Sequence, residues 1–233
     1  MIPFSPPRID QRVIDEVTDA LKSGWITTGP KTKLFEKKLS EYCGNKSTAA
    51  LNSWANAMEL FLRWYGIGEG DEVILPAYTY CASINVIIHT GARPVLVDIN
   101  EDDFNMSVEA VKKVITSRTK AIMPVDIGGF PCDYDGLFEL VRSQEIRNKF
   151  TAKNENEKKL GRILIASDAA HSFGATYKGK ISGSLGDVTC FSFHAVKNLT
   201  TAEGGTVSLN LPGTFDNEAI YKELCIKSLH GQS

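Results

Sequence analysis

Residues Ile163–His171 read Ile-Leu-Ile-Ala-Ser-Asp-Ala-Ala-His, an apolar run that ends at an acidic residue. Short apolar runs of this kind indicate buried strands. Open α/β sheets bind their ligands at the carboxyl ends of such strands. Asp168 is therefore a candidate site residue, and His171 follows it three residues later in the sequence. The run by itself leaves open the alternative that Asp168 is a simple turn residue at a strand end.

A second stretch, Phe191–Asn198, reads Phe-Ser-Phe-His-Ala-Val-Lys-Asn and is followed by Leu-Thr-Thr-Ala-Glu-Gly-Gly. This pattern predicts a strand that ends near Ser192 and delivers Lys197 into a polar turn flanked by glycine. A lone lysine in a turn is usually a surface residue, but this setting is less ordinary. Ser192 could also be a polar residue within a strand, with no further role.

Outward from these two stretches, short apolar runs alternate with helical segments. The sequence predicts strands at 48–51, 72–75, 94–97, 121–125 and 163–166, and helices at 10–23, 32–43, 56–65, 81–90, 107–116, 135–143 and 215–228. Such alternation predicts an α/β fold with a mostly parallel central sheet and helices on both faces. We expect residues 143–161 to form a partly helical surface insertion, and 172–209 to form short strands and turns.

Composition narrows the function classes. The 233 residues carry 26 Lys and Arg against 28 Asp and Glu, so the net charge of −2 argues against bulk nucleic-acid binding. No apolar run is long enough for a transmembrane helix, so we expect no membrane partner. The five cysteines are widely spaced and form no Cys-x-x-Cys pair, which favours a reducing, cytoplasmic compartment over a disulfide framework.

Two other motifs carry less weight. Residues 174–181 match a P-loop pattern but lack its final Ser or Thr, and no helix is predicted after them. A hairpin turn at 178–180 is the better interpretation. His171 and His194 could share a metal ion, but no carboxylate or thiol lies beside them at ligand spacing, so we expect no metal.

The chain resembles the DegT/DnrJ-type nucleotide-sugar aminotransferases, which use pyridoxal 5′-phosphate (PLP) and have the aspartate-aminotransferase fold, PLP fold type I. The matching segments occur in the right order along the whole chain; beyond a Pro-rich opening strand from Ile2, they are Gly24–Pro30, Leu75–Tyr80, Gly91–Asp98, Gly186–Asp187 and Ser192–Lys197.

The resemblance implies a role for each matching residue. Lys197 would bond covalently to PLP and later act as its acid–base group. Asp168 would pair with the pyridine nitrogen, and His171 would lie near the ring hydroxyl. Ser192 would hydrogen-bond the phosphate, and Tyr80 would stack on the ring.

The turn before the third helix departs from the family pattern. Trp54 and Ala55 stand where the family usually has Gly-Thr, so the side-chain hydroxyl that would contact phosphate is missing. Backbone amides at that helix N-terminus would still bind phosphate, so the resemblance implies that Trp54 and Ala55 bind the cofactor. The loop that starts Asp126-Ile-Gly-Gly also departs from the family's usual His-x-Tyr-Gly.

The resemblance also implies an activity and an architecture. The expected reaction transfers an amino group, from glutamate, to a keto group of a nucleotide-linked sugar. Residues 1–233 would form the large domain, with residues 1–30 contributing to the substrate side and to homodimer contacts, and the C-terminal small domain would be absent. Two alternatives stay open, namely a PLP-dependent sugar dehydratase, which would have His in place of Lys197, and a remnant that binds PLP weakly without turnover.

Overall fold

A computed structural model describes residues 5–231 of the chain. Its helices are α1 Gln11–Ser23, α2 Pro30–Cys43, α3 Trp54–Tyr65, α4 Cys81–His89, α5 Val108–Val114, α6 Tyr134–Arg142, α7 Gln144–Lys149, α8 Glu155–Leu160 and α9 Asn217–Ser228. Its strands are β1 Ser47–Leu51, β2 Glu72–Pro76, β3 Arg93–Val97, β4 Thr119–Ile122, β5 Leu164–Asp168, β6 Thr176–Tyr177, β7 Lys180–Ile181, β8 Val188–Ser192 and β9 Gly205–Leu209.

The central sheet of the described residues has seven strands in the order β1-β9-β8-β5-β4-β2-β3. Strands β3, β2, β4, β5 and β8 pair in parallel, whereas β9 pairs antiparallel with both β8 and β1. The predicted α/β fold with a mostly parallel sheet is therefore confirmed. The carboxyl ends of β5 and β8 lie side by side, which brings the two sequence stretches that follow these strands to one edge of the sheet.

The helix boundaries follow from capping residues. Helix α3 begins where the Ser53 hydroxyl accepts a hydrogen bond from the backbone N–H of Asn56, and it ends at Gly66 in the left-handed conformation. Serine at the N-cap satisfies one of the free amides of the first turn, and glycine adopts the left-handed conformation without strain. The buried side of α3, which includes Met58, Phe61 and Leu62, packs into the main core.

Helix α2 is rotated relative to the sequence-based prediction. The apolar pattern of the sequence predicts that Leu34, Phe35, Leu39 and Tyr42 face inward. Leu39 is buried, but Leu34 and Tyr42 are about half exposed, at 51% and 49%. The buried face instead carries Glu36, Leu39 and Cys43. Glu36 accounts for the rotation, because its carboxylate is buried and accepts hydrogen bonds from the Ala50 backbone N–H (2.9 Å) and the Tyr221 hydroxyl (2.6 Å).

Helix α1 is amphipathic but contributes nothing to the core. Its apolar residues Val13, Ile14, Val17 and Leu21 are all exposed, and no residue of the helix is buried. Of the predicted Pro-rich opening strand, residues 1–4 lie outside the described residues, and residues 6–10 form no strand.

The segments after α6 match their predictions. The insertion at 143–161 contains the short helices α7 and α8, and β5 follows it. Strands β6 and β7 form a hairpin whose turn residues, Lys178 and Gly179, both have positive φ. Positive φ at both central residues is characteristic of a two-residue hairpin turn. The hairpin interpretation is thus confirmed over the P-loop pattern.

Candidate active site

Asp168 is the last residue of β5 and is buried. Its carboxylate accepts a hydrogen bond from the Ser83 hydroxyl at 2.8 Å and one from the backbone N–H of Ala170 at 3.2 Å. The Thr79 hydroxyl, 2.9 Å from that of Ser83, extends this chain of polar contacts toward the N-terminus of α4. These two hydrogen bonds fix the orientation of the carboxylate, and the bond from Ser83 joins β5 to α4, a contact that a simple turn residue does not need.

Lys197 lies in the turn after β8, and its Nζ is 2.7 Å from Nε2 of His171. The ammonium group has only N–H donors, so a neutral imidazole accepts this bond at Nε2. The side-chain amide of Asn198 donates to the backbone carbonyl of Phe173 at 2.6 Å, which ties the same two turns together. The turns after β5 and β8 are thus joined at two neighbouring points.

The N-terminus of α3 forms a third wall. Gly205, the first residue of β9, allows this close packing, because a Cβ there would lie 2.4 Å from the backbone nitrogen of Trp54 and 2.2 Å from the carbonyl carbon of Ser53. The Trp54 side chain is buried in the main core, whereas Ala55 is only partly buried. Glycine at 205 is therefore what brings the first turn of α3 against the sheet edge.

These three walls enclose a cavity of about 490 Å³. Every site residue expected from the sequence lines it, namely Trp54, Ala55, Tyr80, Asp168, His171, Ser192 and Lys197. Tyr80 is 77% exposed and lies at the mouth. Ser192 accepts a weak hydrogen bond from the backbone N–H of His194, at 3.4 Å. The cavity therefore holds a buried carboxyl, an amine, an imidazole, a hydroxyl and a helix N-terminus in one place.

Burial perturbs the titration of the polar groups in this cavity. It raises the pKa of Asp168 to about 6, even though the hydrogen bond from Ser83 opposes the shift. Burial lowers the pKa of the Lys197 amine, and the nearby charge of Asp168 partly offsets this. Partial burial also lowers the pKa of His171, and the charge of Lys197 lowers it further. Groups perturbed in this way cluster at functional sites.

Asp126 is a cavity residue that the sequence did not single out as a site residue. It follows β4, and its backbone N–H donates to the carbonyl of Asp168 at 3.0 Å. Its buried carboxylate accepts hydrogen bonds from the Tyr134 hydroxyl (2.9 Å), the Cys132 backbone N–H (3.1 Å) and the Ser172 hydroxyl (2.7 Å). An acidic residue after an apolar run was the available signal, the same one that marked Asp168.

Ser83 and Glu203 also line the cavity without having been predicted. No local pattern distinguishes Ser83, since only the tertiary fold brings α4 against the end of β5. The Gly186–Asp187 segment, by contrast, lies away from the cavity. Asp187 forms a two-pronged ion pair with Arg162 at 2.8 and 2.6 Å and accepts the Ile165 backbone N–H at 2.9 Å. Its contacts therefore hold the starts of β5 and β8 together.

Comparisons with known proteins identify the family of the chain. The model of the DegT/DnrJ/EryC1/StrS aminotransferase family matches residues 7–147 and 153–233, so the chain belongs to that family. Its sequence is 40% identical over 232 residues to the spore coat polysaccharide biosynthesis protein SpsC of Bacillus subtilis, covering 100% of this chain and 54% of that protein. It is 41% identical over 210 residues to GDP-perosamine synthase of Caulobacter vibrioides, covering 90% of this chain and 52% of that enzyme.

A solved structure gives a closer match. The Spr1654 protein of Streptococcus pneumoniae, assigned as a sugar aminotransferase and solved in PLP, pyridoxamine-phosphate and apo forms, is 53% identical, with a TM-score of 0.96. The match to the pyridoxamine-phosphate form covers 100% of this chain and 58% of that one. The chain thus spans about half the length of the curated relatives that it matches.

Among the helices of residues 5–231, none combines the length and the apolar character that a membrane span requires. Within the same residues, no group of three or more His, Cys, Asp or Glu side chains is arranged to hold a metal ion. All five cysteines, which lie in the described part of the chain, are free thiols.

Proposed function

We propose that this chain forms the cofactor-binding part of a PLP-dependent sugar aminotransferase. One observation carries the proposal: Lys197 Nζ lies 2.7 Å from His171 Nε2 in a cavity that also contains the buried carboxyl of Asp168. Membership of an aminotransferase family supports it. When bound, PLP supplies an electron sink that stabilises negative charge on the substrate carbon.

The donor set of the cavity fits PLP. Burial withdraws Asp168 from water, and a protonated ring nitrogen would replace the lost solvation with a charge partner. The Ser192 hydroxyl and the N-terminus of α3, at Trp54 and Ala55, would hold the phosphate, since helix N-termini bind anions through backbone N–H groups. The exposed ring of Tyr80 would cover the outer face of the cofactor.

Lys197 and His171 would handle the protons. A lowered pKa makes the Lys197 amine a better nucleophile and base near neutral pH, because more of it is uncharged. We assign Lys197 as the residue that bonds to PLP and moves the proton at the reacting carbon. His171 orients the lysine amine through their hydrogen bond and would face the ring hydroxyl.

We further propose glutamate as amino donor and a keto group of a nucleotide-linked sugar as acceptor. The relationship to GDP-perosamine synthase, whose name specifies a nucleotide-linked sugar, supports the acceptor class. We propose that residues 1–233 form the large domain of a homodimer, that residues 1–30 contribute to its contacts and to the substrate side, and that the protein works in the reducing cytoplasm. The free thiols support that compartment.

The test of this proposal is covalent trapping of the cofactor. The purified chain, incubated with PLP and reduced with borohydride, should carry a PLP adduct on the peptide that contains Lys197. Lys197→Ala should lose this adduct, whereas Lys180→Ala, a change on the surface hairpin, should keep it. An adduct that persists on another lysine of Lys197→Ala, at the wild-type level, would show that the assignment is wrong.

Addition of glutamate to the PLP-loaded chain then distinguishes the remaining alternatives. Conversion of the PLP absorbance to that of the aminated cofactor indicates an aminotransferase. Loading without conversion indicates the alternative of a chain that binds PLP without turnover, and it would contradict glutamate as the amino donor at this site.

A further inference from the structure

The loop after β4 contacts the turn that carries His171 at two places. On one side, the Ser172 hydroxyl donates to the Asp126 carboxylate at 2.7 Å. On the other side, Gly129 lies so close that a Cβ on it would be 2.7 Å from the carbonyl oxygen of His171. Gly129 has a φ of +88°, which only glycine adopts without strain.

Asp126 is itself held rigidly. Its other carboxylate oxygen accepts the Tyr134 hydroxyl and the Cys132 backbone N–H, and Tyr134 also contacts the hydroxyl of Ser167, the residue before Asp168. A fully hydrogen-bonded buried carboxylate is a stiff anchor, because moving it would leave several buried polar groups unpaired.

We propose that Asp126 and Gly129 clamp the turn from Asp168 to Ser172 and thereby hold His171 in contact with Lys197. Asp126 acts through the Ser172 hydroxyl, and Gly129 acts by backbone contact with the His171 carbonyl. Both are positioning residues, since neither contacts the lysine amine. The catalytic meaning of the clamp rests on the proposed function, but its geometry does not depend on any bound cofactor.

The clamp also explains the sequence of the loop that starts at Asp126. A carboxylate is required to accept three donors at once, and glycine is required where the loop passes the His171 carbonyl. The Asp-Ile-Gly-Gly sequence is therefore matched to the serine at 172.

The test follows the titration of His171 in the cofactor-free protein by imidazole ¹H–¹⁵N correlation spectra. In the wild type the pKa of His171 lies below its ordinary value of 6.5, because of partial burial and the charge of Lys197. The other charged or titratable side chains that line the cavity are Tyr80, Asp126, Asp168, His194 and Glu203. Lys197→Met should raise the pKa of His171, which establishes that the spectrum detects the contact.

Ser172→Ala removes the link to Asp126 without changing any charge. It should free the imidazole to reach water, so the pKa of His171 should rise toward 6.5. Gly129→Ala should have the same effect by pushing on the His171 carbonyl. The matched control is Ser182→Ala, because the Ser182 hydroxyl bonds to that of Ser172 at 2.7 Å but not to Asp126. It should leave the pKa of His171 unchanged.

A second measurement uses PLP affinity. Ser172→Ala should raise the dissociation constant of PLP by about fivefold to tenfold, the scale of one hydrogen bond. Asp126→Ala and Ser172→Ala combined should cost less than the sum of the two, because they break the same link. Thermal unfolding of each variant verifies that it is folded.

Three results would overturn the clamp. These are an unchanged pKa of His171 in both Ser172→Ala and Gly129→Ala, an equal rise in Ser182→Ala, or no response to Lys197→Met. The titration needs no PLP, so the two proposals fail separately. If the clamp is wrong, covalent trapping of PLP on Lys197 is unaffected. If the proposed cofactor chemistry is wrong, the expected changes in the His171 spectra are unaffected.

Discussion

Asp168 and Asp126 are two buried carboxyls joined by one backbone hydrogen bond, and burial raises the pKa of each to about 6. A carboxyl whose pKa is higher in the folded state than its ordinary 3.8 binds its proton more tightly when folded. Its contribution to stability is therefore complete below about pH 4 and is lost as the pH rises through about 6. At neutral pH, Asp168 and Asp126 of the cofactor-free protein are two buried negative charges, which is unfavourable, and a bound cationic ligand would offset this cost.

Asp168→Asn should flatten this dependence. The free energy of unfolding of the cofactor-free variant, from urea titrations at a series of pH values, should fall less steeply between pH 4 and pH 6 than that of the wild type, since one of the two raised carboxyls is gone. Asp135→Asn is the control, because Lys178 lowers the pKa of this exposed carboxyl. Asp135 therefore contributes stability that is lost as the pH falls, and its removal affects the pH dependence in the opposite sense. A wild-type slope in Asp168→Asn would mean that Asp168 is not buried as described.

The same substitution tests the proposed chemistry. With PLP bound, Asp168→Asn should keep the cofactor but lose most of its single-turnover rate with glutamate, because a neutral amide does not keep the ring nitrogen protonated. Stopped-flow absorbance measures this rate. An unchanged rate would remove Asp168 from the reaction, whatever its effect on stability.

At the level of elements, most boundaries predicted from the sequence agree with the structure to within a few residues, whereas the orientation of one helix was predicted incorrectly. Strands such as β2 and β5 are apolar runs buried on both faces, which local pattern detects directly. Helix α2 is the exception, because the buried carboxylate of Glu36 rotates it, and no apolar periodicity reveals a charged residue that faces inward. The hydrogen bond from Ser172 to Asp126 could not be predicted either, since the two residues meet only when β4 and β5 pair in the sheet.

Glu36 gives a prediction about how α2 is fixed. Its carboxylate joins α2 to β1 through Ala50 and to α9 through Tyr221, and Lys33 Nζ lies 3.0 Å away. Glu36→Gln should lower the free energy of unfolding by about 1–3 kcal/mol, the cost of weakening buried hydrogen bonds to a charged group. Urea unfolding at pH 7 measures this. Glu41→Gln, on the exposed face of the same helix, should change stability by no more than about 0.5 kcal/mol; equal losses in both variants would contradict the role of Glu36.

Gly205 gives a prediction about how β9 meets α3. Gly205→Ala would place a Cβ within 2.4 Å of the Trp54 backbone nitrogen, so the first turn of α3 must move outward. The expected result is weaker PLP binding, by about tenfold or more, together with a lower melting temperature. Equilibrium dialysis and thermal unfolding measure the two effects. Gly213→Ala is the control, because nothing lies within 4 Å of its added Cβ, and an effect of similar size there would contradict the argument.

For the whole molecule, several large apolar side chains are exposed to water, and some of them lie near the candidate active site. Trp25 and Ile26 are 59% and 72% exposed, and Tyr80 is 77% exposed. Ile26 lines a broad groove beside the candidate active site, and the two cavities share Glu203 and Gly204 as a common wall. Exposed apolar residues next to a site are typical of an interaction surface. The exposure of Ile26 and Tyr80 beside this common wall supports the proposed homodimer with its contacts near the cofactor cavity.

The oligomeric state in solution tests this contact surface. Sedimentation velocity should show a dimer or larger species, and Ile26→Asp should shift it toward monomer, because a charge placed at the contact would lose its hydration on association. Leu96→Asp is the matched control, since Leu96 is also half exposed but lies on β3, the edge strand at the opposite end of the sheet. The PLP affinity of Ile26→Asp should fall with its dimer content if the partner helps to enclose the cavity. A wild-type protein that stays monomeric at all concentrations, or a dimer that Leu96→Asp separates and Ile26→Asp does not, would show that the contact surface lies elsewhere.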